Sequence, residues 1–317
     1  MNQAKTINVT VQSIHQETPY VKRFSLIQAG NELLPPFSGG SHITTYIKTG
    51  GETIARSYSL TNPPGQRDTY HIAIRLNAQS TGGSRYWHEQ MKAGDTLCIS
   101  PPQNHFPLSF RAKHHVFYAA GIGITPFLSM MAELKKEGRS FELHYAAKSE
   151  EDCPFFTYLM KVYPNESHFY FSRERRLTDQ SLWEHRIGTH VYFCGPTSFI
   201  EGFTASALKI GYPRSSIHFE RFTPLQIMKR QDFLVEVENG PTIKVPKDMT
   251  LLEALLKGGV NAPYSCRVGR CGTCEVNVLE GEVEHGDSFL SDSERSEHHS
   301  ILTCVSRAKA EKLRIKL

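Results

Sequence analysis

Four cysteines near the carboxyl end carry the most demanding chemistry in this 317-residue sequence. Cys266, Cys271 and Cys274 fall within nine residues, in Tyr264-Ser265-Cys266-Arg267-Val268-Gly269-Arg270-Cys271-Gly272-Thr273-Cys274, and Cys304 follows thirty residues later. Cys-x4-Cys-x2-Cys with a distant fourth Cys is the plant-type spacing that holds the two irons of a [2Fe–2S] cluster. Three ligands on one short stretch cannot sit on a regular helix or strand, so the loop must wrap the cluster, with Gly269 and Gly272 supplying backbone freedom. Amide groups turned towards the sulfurs would stabilise the extra negative charge of the reduced state. A four-Cys zinc site usually pairs two short spacings, whereas this stretch has a single Cys-x2-Cys. Zinc and unrelated buried thiols are the alternatives to the cluster.

A second constellation is Arg56-Ser57-Tyr58-Ser59-Leu60-Thr61-Asn62, ahead of a Pro63-Pro64-Gly65 turn. On a strand, Arg56 and Tyr58 face one way and Ser57 and Ser59 the other. An arginine can hold a phosphate, an aromatic can cover a flavin ring, and a hydroxyl can meet the ring's polar edge. Arg-x-Tyr-Ser also occurs on ordinary strands. Gly82-Gly83-Ser84 precedes a short helix pattern, with Ser84 as the expected cap and the first amides open to a phosphate. A plain capped turn is the alternative, and Trp87 and His88 read as packing or surface residues.

The third is Ala120-Gly121-Ile122-Gly123-Ile124-Thr125-Pro126, between a short apolar strand and a helical pattern from Phe127 to Lys136. Thr125 is the expected cap, Pro126 suits the first turn, and Gly138 lies just past the end. Strand, glycine turn and helix form the context in which a pyrophosphate meets backbone N–H groups, although the three-glycine dinucleotide spacing is incomplete. Open parallel sheets bind ligands beyond the carboxyl ends of their strands, where Gly121, Ser172 and Cys194 all fall. Cys194, before Gly195-Pro196, is a candidate beside a nicotinamide or a buried inert thiol.

These residues need elements to position them. Ile7–Ser13, Val21–Leu26, His42–Lys48, Ala55–Leu60, Tyr70–Leu76 and Thr96–Ser100 read as short strands, with Gly50-Gly51 as a hairpin turn, and predict a small antiparallel barrel. Alternating strands and helices from His115 to Lys209 predict an α/β domain with a parallel sheet. A hairpin at Asn239-Gly240, a capping box at Thr250–Glu253 and a closing strand with Leu313, Ile315 and Leu317 surround the cysteine loop. The expected division is 1–109, a flavin-binding barrel; 110–223, the nucleotide-binding domain; 224–231, a linker; and 232–317, the iron–sulfur domain.

Composition narrows the class. No apolar run approaches the ~20 residues needed to cross a bilayer, and the amino terminus has no apolar signal core, so a soluble cytoplasmic protein without membrane contact is expected. The remaining cysteines, Cys98, Cys153 and Cys194, suit a reducing compartment. From Asp232 onwards there are 14 acidic against 11 basic residues; the rest has 18 against 25, giving the overall +4. With no long basic run or aromatic-interleaved patch, phosphorylated cofactors and a docking electron-transfer protein explain the basic body better than nucleic acid.

A nicotinamide delivers two electrons together as hydride, a [2Fe–2S] cluster takes one at a time, and a flavin can mediate between them. The whole chain resembles the phthalate dioxygenase reductase family, which includes vanillate O-demethylase reductases. The marks are Arg56-x-Tyr58-Ser59-Leu60, Gly82-Gly83-Ser84, Pro102-Gln103-Asn104-His105-Phe106-Pro107-Leu108, Gly121-Ile122-Gly123-Ile124-Thr125-Pro126, Cys194-Gly195-Pro196 and the four cluster cysteines, in family order. The resemblance implies an FMN barrel, an NAD(P)H domain and a C-terminal β-grasp plant-type ferredoxin domain, passing electrons to a Rieske-type oxygenase. It implies that Arg56 and Ser84 contact the FMN phosphate, that Tyr58 lies by the isoalloxazine with Ser59 at its reactive edge, and that Phe222 approaches the flavin. Leu60, Thr61, His71, Gly82 and Gly83 are counted with them, and Ser59, Cys194 and Phe222 are the candidate catalytic residues. Gly121, Gly123, Thr125, Pro126, Ser172, Arg173, Cys194, Gly195 and Pro196 are the nucleotide candidates. The family usually prefers NADH, yet Ser172-Arg173-Glu174-Arg175-Arg176 resembles the element that places an arginine on an NADPH 2′-phosphate. Either nucleotide is therefore expected. A monomer is expected, and other acceptors remain open: a cytochrome P-450, another haem protein, a diiron oxygenase, or none beyond a carrier role.

Overall fold

The structure, a computed structural model, describes residues 6–30, 32–49, 52–77, 82–222 and 231–317. Two expectations, the Gly50-Gly51 turn and all of the 224–231 linker except Gln231, lie outside the described residues. The chain forms two compact units, Met1–Arg221 and Phe222–Leu317.

The first unit opens with β1 (Ile7–Thr18), β2 (Val21–Gln28), β3 (His42–Thr49), β4 (Glu52–Ser59), β5 (Tyr70–Arg75), helix α1 (Gly83–Glu89) and β6 (Thr96–Ile99). The strands form an antiparallel sheet in the order β4-β3-β6-β1-β2-β5. A bridge from Leu60 to Ile72 of β5 draws the two edges together, and alternating apolar positions such as Val9, Val11, Phe24, Leu26, Ile43 and Ile72 fill the interior.

A parallel sheet follows, built from β7 (His114–Ala120), α2 (Thr125–Lys136), β8 (Phe141–Ala147), α3 (Phe156–Val162), β9 (Ser167–Phe171), β10 (Thr189–Cys194), α4 (Thr197–Ile210) and β11 (Ile217–Glu220). Its order is β11-β10-β7-β8-β9, so the chain steps outward on one side of β7 and returns on the other. That reversal opens a crevice at the carboxyl end of β7. The two sheets share a core, since Val21 and Ala73 of the antiparallel sheet pack with Phe106, Leu108, Phe127 and Met130. Helix α2 also supports the turn before β3, where the Gly39 amide donates to Glu133 and the Gly40 amide to Ser129 Oγ (3.1 Å).

The second unit comprises β12 (Phe233–Val237), β13 (Thr242–Val245), α5 (Leu251–Lys257), β14 (Glu275–Glu280), β15 (Val283–Glu284), α6 (Asp292–Glu297), β16 (Ser300–Leu302), β17 (Arg307–Ala308) and β18 (Lys312–Lys316). Its five-stranded mixed sheet has the order β13-β12-β18-β14-β16, with β12 and β18 parallel, and α5 packs in the same core. Thr250 and Glu253 form the expected capping box. Leu313 and Ile315 are buried, whereas Leu317 lies beyond β18 and is 47 % exposed.

Candidate functional site

In the antiparallel sheet, β3 sets Thr45 opposite Arg56, Ile43 opposite Tyr58 and His42 opposite Ser59. The Arg56 side chain runs along Gly83, where a Cβ would lie 3.2 Å from its Cγ and Nε. One Arg56 Nη donates to the Ala55 carbonyl (2.9 Å). A guanidinium has five N–H donors, so most of this fork can still serve an anion. Tyr58 is half-buried and edge-on to the buried Trp87 at 6.1 Å, and burial pushes its phenol above the usual range.

Ser84 does not cap α1. Gly82, at φ +124°, turns the chain into the helix first, and Ser84 Oγ instead accepts from the Asn77 amide at 3.1 Å. Ser59, Leu60 and Thr61 are buried; Leu60 N–H donates to Ser41 and Thr61 N–H to His71. The fully buried Asn62, which the sequence reading passed over, accepts from His71 N–H (2.9 Å) and donates to the Gln66 and Thr69 carbonyls. Burial, then the nearby Arg23, pushes the His71 imidazole down to about 4, so it is neutral near pH 7.

At the crevice, Gly121 has φ +55° and opens a short 3-10 turn through Ile124. Thr125 is already helical and its hydroxyl donates to the Ile122 carbonyl at 3.1 Å, so it is not the expected cap; the glycine turn has curled the chain one step earlier. Pro126 occupies the first helical turn as expected. Residue 123 has no room for a side chain, because a Cβ would come 2.1 Å from the Cys194 carbonyl oxygen and 2.8 Å from Gly195 N. Gly195 likewise abuts Ala120, and Pro196 leads into α4. Cys194 stands at the carboxyl end of β10, but its side chain is fully buried in the core; what it turns to the glycine turn is its backbone.

Sequence reading also missed Arg75. This exposed cation ends β5, and its Nη1 lies 4.0 Å from where a Gly121 Cβ would stand. The signal available was a single arginine closing the strand Tyr70–Arg75 just after its apolar Ile72-Ala73-Ile74 run. Ser172 N–H donates to Ala147 (3.0 Å) at the adjoining strand ends. Of the neighbouring arginines, Arg175 folds back over the Tyr170 ring at 4.7 Å, while Arg173 and Arg176 are exposed. Phe222 is 40 % exposed and is the last described residue before Gln231.

In the second unit the four cysteines gather two by two. Cys266 and Cys271 are within hydrogen-bonding reach of each other, as are Cys274 and Cys304. Cys271 is drawn down to about 4 by the Cys266 thiol and nearby hydroxyl and amide donors, and the Cys266 thiol is pushed up in turn. The amides of Val268 and Arg270 face Cys266, that of Thr273 faces Cys271, and that of Gly269 faces Cys304. Among the described residues no three or more His, Cys, Asp or Glu side chains are grouped to hold a metal ion. Two thiol pairs ringed by amides do fit a two-iron cluster, which takes two thiolates per iron. Gly269 and Gly272 both have positive φ; a Cβ on Gly269 would meet Val305 at 2.6 Å, and one on Gly272 would meet the Phe289 ring at 2.4 Å. Arg267 lies over the Tyr264 ring at 4.4 Å.

Residues 235–309 match the family model for a 2Fe-2S iron-sulfur cluster binding domain, and residues 99–217 match the N-terminal domain of dimethylamine monooxygenase subunit DmmA-like proteins. The chain is 38 % identical to the carnitine monooxygenase reductase subunit of Escherichia coli, over 99 % of each chain. It is 41 % identical to the heme-dependent oxidative N-demethylase beta subunit of Ectopseudomonas mendocina, over 95 % of this chain and 96 % of that one. The solved structure of phthalate dioxygenase reductase, described as modular for electron transfer from pyridine nucleotides to [2Fe-2S], superposes with TM-score 0.81 and 30 % identity over 98 % of each chain.

A flavin-type antiparallel sheet, a nucleotide-type parallel sheet and a 2Fe-2S domain in this order define an NAD(P)H-dependent flavin and iron–sulfur oxidoreductase, the reductase component of an oxygenase system. The chain belongs to the phthalate dioxygenase reductase family. No helix among the described residues is long and apolar enough to cross a membrane.

Proposed function

We propose that the flavin is FMN, that NADH and NADPH are both accepted, and that the electrons go to a separate Rieske-type oxygenase acting on a methylated or quaternary amine. The observation carrying the reading is the crevice at β7, where Gly123 and the Cys194-Gly195 backbone meet too closely for any side chain, beside a sheet that presents Arg56 along Gly83. A bound flavin would supply the conversion of a nicotinamide's hydride into single electrons, and a bound cluster would supply one-electron transfer. Arg56 and the Ser84 hydroxyl would hold the flavin phosphate, Tyr58 would lie against the ring, and Ser59 would meet its reactive edge. Backbone amides after Gly121 and the Arg75 guanidinium take the pyrophosphate. Arg173 reads a 2′-phosphate when one is present, Arg175 being occupied by Tyr170. Cys266 with Cys271, and Cys274 with Cys304, would hold the cluster.

The amine reading rests on two likenesses, to a carnitine monooxygenase reductase subunit and to dimethylamine monooxygenase subunits. A haem-dependent acceptor is the second reading, favoured by the 41 % identity to a subunit of a haem-dependent demethylase. The test is anaerobic stopped-flow absorbance of the holo-protein with NADH or NADPH, followed by mixing with purified oxygenases of each kind. Flavin bleaching, then cluster reduction, then reoxidation by the Rieske protein is expected. Cluster reduction without flavin bleaching would overturn the route, and reoxidation by the haem protein alone would overturn the acceptor.

A further inference from the structure

Tyr145 is fully buried at the third-last position of β8, in register with Ala119 of β7 and Phe169 of β9. Its hydroxyl donates to the Gly121 carbonyl at 2.8 Å and lies 3.3 Å from the Pro154 carbonyl. A phenol has one hydrogen, so the nearer Gly121 oxygen takes most of it. The Cys153 thiol packs against the same hydroxyl, and burial pushes that thiol up to about 12, so both groups stay neutral. No motif in the sequence marks Tyr145.

In a planar trans peptide the carbonyl and the following N–H point in opposite directions. Fixing the Gly121 oxygen towards Tyr145, inside the core, therefore aims the Ile122 N–H away from the core. Gly121, at φ +55°, has the backbone freedom to flip this plane; the single short 3-10 turn restrains it from the chain side and the Tyr145 hydroxyl from the core side. The same hydroxyl ties in Pro154, on the connection between β8 and α3, which leaves the sheet beside Ser172. One buried group thus links two of the loops that border the crevice.

We propose that Tyr145 is a positioning residue for nucleotide binding: it locks the Gly121–Ile122 peptide with its N–H presented to the pyrophosphate. This rests on the reading of the 121–125 turn as the pyrophosphate site. The test is titration of the oxidised holo-protein with NAD⁺, together with steady-state kinetics using ferricyanide as acceptor, for Tyr145→Phe and for Tyr163→Phe. Tyr163 is a buried tyrosine of the same core that packs on Phe141 and lies under Lys135, so it controls for loss of any buried hydroxyl. For Tyr145→Phe the NAD⁺ dissociation constant and the KM for NADH should both rise about tenfold, with kcat within twofold and the flavin and cluster spectra unchanged; Tyr163→Phe should alter neither constant by more than twofold. Unchanged constants in Tyr145→Phe, or equal rises in both variants, would overturn the proposal. Should Tyr145→Phe not fold, hydrogen exchange in the wild-type protein decides. The Ile122 amide should exchange readily without nucleotide and slow at least fivefold with NAD⁺; an amide already protected, or indifferent to NAD⁺, overturns it. Gly123→Ala separates the underlying reading: if that variant keeps full NAD⁺ affinity, the turn is not the nucleotide site, whatever Tyr145→Phe does.

Discussion

Replacing Asp287 should weaken the iron–sulfur unit without touching a cluster ligand. The carboxylate is shut off from solvent, and its oxygens accept from the amides of Phe289 (3.2 Å) and Leu290 (3.0 Å), from Ser306 Oγ (3.3 Å) and from His285 Nδ1 (3.2 Å), with Arg295 at 3.6 Å. Its backbone also braces the cysteine loop, since Ser288 N–H donates to Gly269 (2.9 Å) and the Asp287 Cα fills the space a Gly269 side chain would need. Burial alone would raise this acid, but His285, the Leu290 amide and Arg295 outweigh it and hold it down to about 2, against 3.8 when unperturbed. That difference corresponds to about 2 kcal/mol of stability, present above the unperturbed value and lost as pH falls towards 2. An asparagine in its place would keep the shape but turn an NH2 towards a ring of donors and take away the buried charge that Arg295 faces, so Asp287→Asn should cost about 3 kcal/mol. With a urea slope of about 1.5 kcal/mol/M, the midpoint at pH 7 should fall by about 2 M. Urea titration followed by the visible absorbance of the cluster measures it. Asp292→Asn is the control, its carboxylate being 96 % exposed beside the same Arg295, and should change stability by less than about 0.5 kcal/mol. A fall below about 0.5 M in Asp287→Asn, or an equal fall in the control, would refute the idea that this carboxylate fastens the loop.

Cys271→Ser should abolish the cluster bands while leaving anaerobic flavin reduction by NADH within about threefold of the parent rate, because the hydride step needs only the first unit. Loss of flavin reduction in a folded, flavin-replete variant would contradict the proposed order. Arg173→Ala should raise the KM for NADPH about tenfold and that for NADH less than twofold, the difference expected when a phosphate loses one arginine; equal effects would reject that role. Glu142 is ringed by imidazoles, with the Nε2 atoms of His144 and His168 both at 3.1 Å and those of His114 and His185 within 3.9 Å through Nε2 and Nδ1 respectively. His114 and His144 hold its carboxyl well below the usual range, so the stability it adds is present above the ordinary glutamate range and drains away as pH falls below it. Thermal unfolding of the first unit from about pH 6 to pH 3 should therefore show a shallower acid slope in Glu142→Gln than in the parent. Parallel slopes would rule out this glutamate as a source of the acid sensitivity.

What the sequence made legible was chemistry expressed over a few consecutive residues. The cysteine spacing, the Thr250–Glu253 capping box, the Asn239-Gly240 hairpin and the strand alternation each follow from local geometry, and the structure has them where they were expected. Local reasoning failed where a glycine acted one residue before the polar side chain that seemed to be in charge. Gly82 and Gly121 turn the chain early, and Ser84 and Thr125 then fall inside their helices instead of capping them. Buried polar groups that work across the fold were not legible at all. Tyr145 reaches Gly121 across the sheet, Ser306 returns to Asp287 from nineteen residues on, and Asn62 meets Thr69 and His71 through the return of the next strand, contacts that no short motif displays. The two kinds of residue divide the labour. Short motifs supply the groups that meet ligands, but a loop of glycines has too many conformations to hold those groups still. Asn62 closes the turn after the Arg56–Leu60 strand, Tyr145 fixes the Gly121 peptide and Asp287 braces the cysteine loop, each beneath one of the three motifs. A chain that kept every motif and lost these three would still read as a member of the family, and would hold its ligands poorly.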